Sequence, residues 1–213
     1  MKKRIMLLLA ALMTLLSCAE NEFEYNNPLD RTGPNYKGDK MFTFTDGRDS
    51  KKYRAVAIGT QTWMAENLNY DVPNNTTDVC YGNSTDNCAK YGRLYNWSTA
   101  MTACPAGWHL PSYAEWTALE NHVGGSSTAG RKLKSIGGWY DNGNGRDEYG
   151  FSALPGGYGY SAGSFYNAGY LGYWWSATED DAVGGWYRIM GDDYGWYNYY
   201  KGDLFSVRCV ADQ

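Results

Sequence analysis

The sequence predicts an α+β domain held by cystine bridges, and three observations predict it. Strand-like segments open the domain and an alternating segment closes it. Capped helical segments lie between them. Cys104, in C-P-A-G-W-H-L-P, and Cys209, in S-V-R-C-V, sit far apart in apolar, structured settings and read as the two ends of one disulfide. The about 170 residues from Met41 onward are enough for one core-forming domain and short for two.

The first segment stands outside that domain. Lys2, Lys3 and Arg4 form a basic start, Ile5–Leu16 is apolar except for Thr14, and Leu15-Leu16-Ser17-Cys18 resembles a bacterial lipobox. The apolar run is short for a membrane span. Residues 1–17 are therefore expected to be a lipoprotein signal peptide, with Cys18 as the lipid-modified N-terminus. That places the protein at the cell envelope, with the outer membrane or cell surface as its expected site and the membrane as a partner through the lipid. Residues 18–40 are acidic and polar, with Glu20, Glu22 and Glu24 but no apolar period, and are expected to be a flexible tether. The acidic residues after Cys18 resemble the surface-export signals of some Bacteroidetes-type lipoproteins, and they suit a solvated linker equally well.

From residue 41 the elements follow in order. Met41–Phe44 reads as a strand and Asp46-Gly47 as a turn. Tyr53–Ile58 and Gln61–Met64 flank Gly59-Thr60 as a β-hairpin. Asp71–Asn87 is a polar loop. Asn96–Ala103 is a helix. Ser112, followed by Glu115, is a capping box for a second helix whose apolar residues Trp116, Leu119 and Val123 recur at helical spacing, with Gly124-Gly125 as its stop. Pro105 and Pro111 stiffen the connection between these two main helices. A third, short helix is expected over Ala129–Ile136. Gly156–Tyr200 holds 10 Gly, 10 Tyr and 4 Trp and has no helical period, which predicts small strands and long loops. Leu204–Val210 alternates and reads as a closing strand.

With Cys18 set aside, Cys80, Cys88, Cys104 and Cys209 allow three connectivities. Joining 80 to 88 and 104 to 209 is the most economical. A loop of about 100 residues closed by the second bridge is worth on the order of 4–5 kcal/mol in the chain-entropy model.

Several runs together resemble one family. Ile58–Tyr70 (I-G-T-Q-T-W-M-A-E-N-L-N-Y), Tyr91–Trp97 (Y-G-R-L-Y-N-W) and Cys104–Pro111 with Glu115-Trp116 come first. Gly150–Gly157 (G-F-S-A-L-P-G-G), Trp174–Glu179 (W-W-S-A-T-E) and Ser206–Val210 follow. In this order they resemble the signatures of the Fibrobacter succinogenes major paralogous domain, from about Asp46 to the C-terminus. The resemblance assigns residues 41–213 to one domain. It implies a lipid-anchored or secreted bacterial protein without an established biochemical function. The layout is also similar to the C-type-lectin-like fold and its sulfatase-modifying-factor relatives. That likeness implies two main helices, a small antiparallel sheet with paired N- and C-terminal strands, a long-range disulfide, and function on long loops. The chain has no E-P-N, Q-P-D or W-N-D triplet, and Cys104 and Cys209 read as structural. Neither calcium-dependent sugar binding nor formylglycine-generating oxidation is therefore implied.

Chemistry-bearing residues are few. The full chain has a formal net charge of −4, and three of its 19 Lys+Arg but none of its 23 Asp+Glu lie in residues 1–17. An acidic domain without a basic cluster is not built for nucleic acid. No C-x2-C pair exists, and His109 and His122 complete no zinc spacing. Asp141–Glu148 places Gly143 and Gly145 where a calcium loop needs oxygen ligands, so it reads as a solvated turn. Glu179-Asp180-Asp181 and Asp192-Asp193 read as solvated charge. His109 reads as a packing or hydrogen-bonding residue and His122 as a surface one. No two carboxylates stand out as a glycosidase pair. No catalytic residue, metal or cofactor is expected.

The aromatic residues are the functional lead. Tyr and Trp present flat, amphipathic faces with little rotamer entropy, which suits sugar rings and protein partners. Tyr158, Tyr160, Tyr166, Tyr170, Tyr173, Trp186, Tyr194, Trp196 and Tyr197 are the candidate ligand-binding residues, with Tyr199 and Tyr200 beside them. Trp108, Trp174 and Trp175 are expected in the core. The expected function is a non-enzymatic binding or adhesion module for a glycan or an envelope protein. A structural envelope protein, or an enzyme acting on glycans or sulfated substrates, are the alternatives.

Overall fold

The computed structural model describes residues 41–74, 77–161, 163–191 and 194–213. The signal segment, Cys18, the tether and Asp192-Asp193 lie outside these residues. Strands β1 (Met41–Thr45), β2 (Lys52–Ile58) and β3 (Gln61–Met64) form an antiparallel meander. The β2–β3 hairpin turns at Gly59, whose φ of 63° is the left-handed conformation that glycine adopts without penalty.

The stretch expected as a polar loop is more ordered than its composition predicts. It holds β4 (Asp78–Val79), a 3-10 turn at Tyr81–Asn83, and the start of helix α1 (Thr85–Tyr91). Only Cys88 and Tyr91 of α1 are buried. So short a helix has no apolar stripe to read and draws its stability from tertiary contacts and the Cys80–Cys88 disulfide. β5 (Leu94–Tyr95) leads into α2 (Trp97–Ala103), where the N-cap Asn96 side chain accepts from the Thr99 N–H at 2.9 Å. β6 (Trp108–His109) precedes α3 (Tyr113–His122), which carries the expected capping box between Ser112 and Glu115.

Helix α4 spans Ser126–Leu133, three residues before the expected span. It ends early because Lys134 turns extended and bridges to Ala153, while the Ser135 N–H donates to the Ala153 carbonyl. Long-range pairing outweighs local helix propensity there.

Gly156–Tyr200 differs most from expectation. In place of long loops it forms β7 (Gly156–Gly159), β8 (Phe165–Ala168), β9 (Gly172–Glu179), β10 (Gly184–Met190) and β11 (Tyr194–Tyr200). Its glycines do not break the strands, because several sit opposite a large cross-strand neighbour: Gly184 opposite Tyr200, Gly185 opposite Tyr199, and Gly195 opposite Ile189. The neighbour covers the space that glycine leaves. Gly157 is different: at φ 65° a Cβ there would lie 2.4 Å from the Tyr166 carbonyl, so the β7–β8 hairpin closes only over glycine.

The expected closing strand is split. β12 (Phe205–Ser206) belongs to one sheet and β13 (Val210–Ala211) to the other. One sheet has the order β1-β2-β3-β13-β6 and the other β11-β10-β9-β12-β5-β4, with β7 and β8 joined through β9. Pairing is antiparallel except for β12 and β7 against β9. The C-terminal strand thus pairs with the N-terminal hairpin, and the fold is a mixed α+β one with four α-helices among the described residues, α1 being the addition to the two main helices and the short third one expected.

Side chains alternate across a strand, so the adjacent Trp174 and Trp175 of β9 enter two different cores. Trp174 packs with Trp63, Trp116, Phe151 and Leu119 beneath α3 and α4. Trp175 packs with Met64, Leu68, Tyr95, Ala100 and Phe205 beneath α2. The Cys104–Cys209 disulfide lies in the second core and joins the end of α2 to the segment between β12 and β13.

Between the cores sits a buried polar hub. Arg208 donates through Nε and Nη2 to Asn67 Oδ1 at 3.1 and 2.7 Å, and through Nη1 to the Phe151 carbonyl. The Trp174 indole N–H reaches the same Asn67 oxygen at 2.8 Å, and Asn67 Nδ2 donates to the Tyr91 carbonyl at 2.8 Å. The quoted runs around Asn67, Tyr91, Phe151, Trp174 and Arg208 therefore meet at one point, and their role there is structural.

Candidate functional site: a tyrosine-lined sheet face

The three-stranded part β9-β10-β11 turns one face toward the first core. Its other face carries Tyr173 and Tyr187 and, on β11, Tyr197 and Tyr199. Register places Tyr187 opposite Tyr197 and Tyr173 opposite Ile189, so these residues share one side. Phe205 of β12 lies 4.7 Å from the Tyr187 ring and 5.5 Å from the Tyr173 ring. These three rings are buried and form a floor.

Five tyrosines stand on this floor. Tyr158 of β7 lies 4.9 Å from Tyr173, and Tyr160 and Tyr166 lie 5.3 and 5.8 Å from Tyr158. Tyr199 closes the group, 6.3 Å from Tyr187 and 6.5 Å from Tyr160. Tyr197 lies 6.0 Å from Tyr187. Tyr158 and Tyr160 are half-buried, whereas Tyr166, Tyr197 and Tyr199 are 46%, 50% and 37% exposed. The hairpin β7–β8 and strand β11, far apart in sequence, thus build one hydroxyl-tipped aromatic surface.

Three hydroxyls are chained. The Tyr158 O–H donates to the Tyr160 oxygen at 3.2 Å, and Tyr160 and Tyr199 share a second bond of 3.2 Å. The bond from Tyr158, with that from Tyr199, lowers the Tyr160 hydroxyl below the usual phenol value. Burial first, and then Tyr160, raises Tyr158. The bond to Tyr160, with burial, pushes Tyr199 up to about 12. Tyr158 and Tyr199, both raised, stay protonated at neutral pH. Asp203, beside them, accepts from the Ser161 N–H at 3.0 Å, and burial raises its carboxyl.

The predicted ligand-binding residues therefore divide. Tyr158, Tyr160, Tyr166 and Tyr197 come together at the surface. Tyr173 does not reach solvent; it supports the others from below. Tyr170 is exposed but packs edge-on against Tyr140 at 5.1 Å, off the platform. Trp186, Tyr194 and Trp196 occupy the opposite side of the sheet, since they alternate with Tyr187 and Tyr197. There Trp196 stacks on Tyr113 at 3.9 Å, Trp186 meets Tyr113 edge-on, and the buried Arg188 guanidinium lies 3.8 Å from the Trp196 ring and 4.3 Å from that of Tyr194. Burial pulls the Arg188 pKa down, and an ion pair with Glu120 at 2.7 Å balances its charge. Tyr187 and Phe205 complete the floor, and no local pattern in the sequence singles them out. The Tyr-x-Tyr spacings of 158 and 160 and of 197 and 199 are the local signals of a shared face, and they are informative only once the segments are known to run extended.

Several other titratable groups are tied up. His109 Nδ1 lies 2.6 Å from Asp212 Oδ1, and Nε2 lies 2.7 Å from Glu115 Oε1. Ionised carboxylates only accept, so the imidazolium form, with a proton on each ring nitrogen, satisfies both bonds. This agrees with a hydrogen-bonding role. The segment read as a solvated turn is exposed or half-exposed through Arg146, and only its last two residues are buried. Asp147 turns inward and accepts from the Ser152 N–H and hydroxyl at 2.7 and 2.6 Å, and Glu148 is buried too. Among the described residues, no group of three His, Cys, Asp or Glu side chains is placed to hold a metal. A polar cleft beside α4 is lined by Ser126, Ser127, Arg131, Lys134, Asn142 and Asn144, with no acid, histidine or cysteine among its described lining residues.

A family model for the Fibrobacter succinogenes major domain matches residues 56–211. No curated protein and no solved structure matches the chain.

Proposed function

We propose that this chain, which belongs to the Fibrobacter succinogenes major domain family, is a non-enzymatic binding module of the cell envelope. In this reading Cys18 carries the lipid anchor, residues 18–40 are the tether, and a C-type-lectin-like frame presents the tyrosine face to a glycan or a protein. The observation that carries it is that face: Tyr158, Tyr160, Tyr166, Tyr197 and Tyr199 stand over a buried aromatic floor with their hydroxyls partly free. A domain that needed these rings only for packing would bury them, since clustered exposed apolar surface marks interaction sites. Pairing of the C-terminal strand with the N-terminal hairpin, together with the 104–209 bridge, supports the lectin-like frame.

The test is a glycan array together with a pull-down from envelope and plant-polysaccharide material, comparing the wild type with Tyr166→Ala and Tyr199→Ala. Removing a central aromatic contact commonly costs about 1–2 kcal/mol or more of binding, so each variant is expected to bind about tenfold more weakly. A ligand retained at full strength by both variants would place recognition elsewhere.

A further inference from the structure

Among the described residues, β11 ends the eight-stranded order and pairs with β10 alone. The backbone N–H and C=O groups on its outer side form a template for another strand. Soluble proteins usually blunt such an edge with charge, proline, a bulge or a very short strand. The opposite end of this sheet is blunted in that way, because β4 has only two residues. β11 has none of these devices. Its seven residues read Y-G-W-Y-N-Y-Y, its seven pairs with β10 run without a break in register, and Tyr197–Tyr200 are exposed.

We propose that this edge is a self-association surface, on which a second copy of the chain pairs its own β11 antiparallel about a two-fold axis through Tyr197. The register follows from the strand. Centring on Tyr197 overlaps all of Tyr194–Tyr200, and any other same-face register overlaps less of it. Tyr197 then faces its own copy, Trp196 faces Asn198, Gly195 faces Tyr199 and Tyr194 faces Tyr200. The Gly195–Tyr199 pair repeats what β10 and β11 already do with Gly185–Tyr199 and Gly184–Tyr200, where an aromatic ring covers the space beside a glycine. Charge selects the same edge. Acids outnumber bases in this chain, 23 to 19, so two copies approach most readily where neither is charged, and β11 has no charged side chain. Pairing also makes the two tyrosine faces continuous, with the two Tyr197 rings side by side. The inference does not depend on what that face binds.

The experiment is sedimentation of the full chain across the micromolar range, with wild type, Tyr197→Phe and Tyr197→Lys compared at equal far-UV dichroism. Wild type and Tyr197→Phe are expected to dimerise. Tyr197→Lys sets like charges directly opposite each other and is expected to weaken the dimer about tenfold or more. Under mild oxidation, Tyr197→Cys should give a disulfide between the two substituted positions, identified by peptide mapping. Asn198→Cys, which faces Trp196, should not link to itself. A wild type that stays monomeric throughout, or a dimer indifferent to Tyr197→Lys, overturns the proposal. Stronger self-linking at 198 than at 197 overturns the register.

Discussion

Arg208 has no exposed surface, yet its guanidinium has more than one acceptor in place: Asn67 Oδ1 and the Phe151 carbonyl, with the Phe151 ring 4.4 Å from the charge. Burying a guanidinium is costly unless its donors are met. Here they are met by groups from two separate runs of the sequence. Arg208→Met keeps the volume but leaves Asn67 Oδ1 with fewer donors, in a place water does not reach. We expect a loss of roughly 1–3 kcal/mol of folding stability, read from the urea midpoint. A loss under about 1 kcal/mol would mean that the hub is incidental to the fold. Nothing local marked Arg208 or Asn67 as partners, since they lie 141 positions apart.

At the scale of elements, His109 is a clamp. From β6 it reaches Glu115 in the first turn of α3 and Asp212 beyond β13. Partial burial pulls the imidazole pKa down, but the bonds to Asp212 and Glu115 outweigh it and hold the group above its ordinary value. Partial burial likewise raises Glu115, and the Ser112 N–H and hydroxyl, with His109, more than reverse it. The signs give two flanks. The stabilisation from His109 is complete below its unfolded value of about 6.5 and is lost as pH rises through the raised folded value. The stabilisation from Glu115 is present above its unfolded value and is lost as pH falls through the lowered folded one. Relative to the wild type, His109→Gln should therefore lose most stability at mildly acidic pH and little at alkaline pH. Thermal melts across that range test this, and an imidazole that titrates at or below its ordinary value by NMR would contradict it.

Legibility also differed by element. α3 was readable because its cap is local: Ser112 bonds Glu115, three positions away. The β2–β3 hairpin was readable because its turn is two residues long. α1 was not, because its short buried face exists only against the rest of the fold. β9, β10 and β11 read as small strands among long loops because glycine weakens a strand in isolation, and the cross-strand rings that make good the loss cannot be seen along one segment.

For the whole molecule, the 104–209 bridge spans 105 positions and the 80–88 bridge spans eight. Removing each pair as a double Cys→Ala variant should therefore have unequal effects. We expect roughly 2–5 kcal/mol for the long bridge and less for the short one, because the closed loop restrains more of the unfolded chain. Denaturant titration of the two variants checks the order, and the reverse order would show that α1 anchors more of the fold than its size implies.

The same scale separates what was readable from what was not. Taken alone, the sequence determined the mixed helix and strand content, the caps, the first hairpin, the most economical disulfide pairing and the family signatures. Each of these rests on neighbours in the chain, on a count of cysteines or on the order of short motifs. It also marked tyrosines as the lead without dividing them. The tertiary structure decided that Tyr158, Tyr160, Tyr166, Tyr197 and Tyr199 share one surface, that Tyr173 lies beneath them, and that Trp186, Tyr194 and Trp196 face the other way. The reason is geometric: strand side chains alternate with a period of two, so the face each ring takes is set by strand boundaries and by register with distant partners.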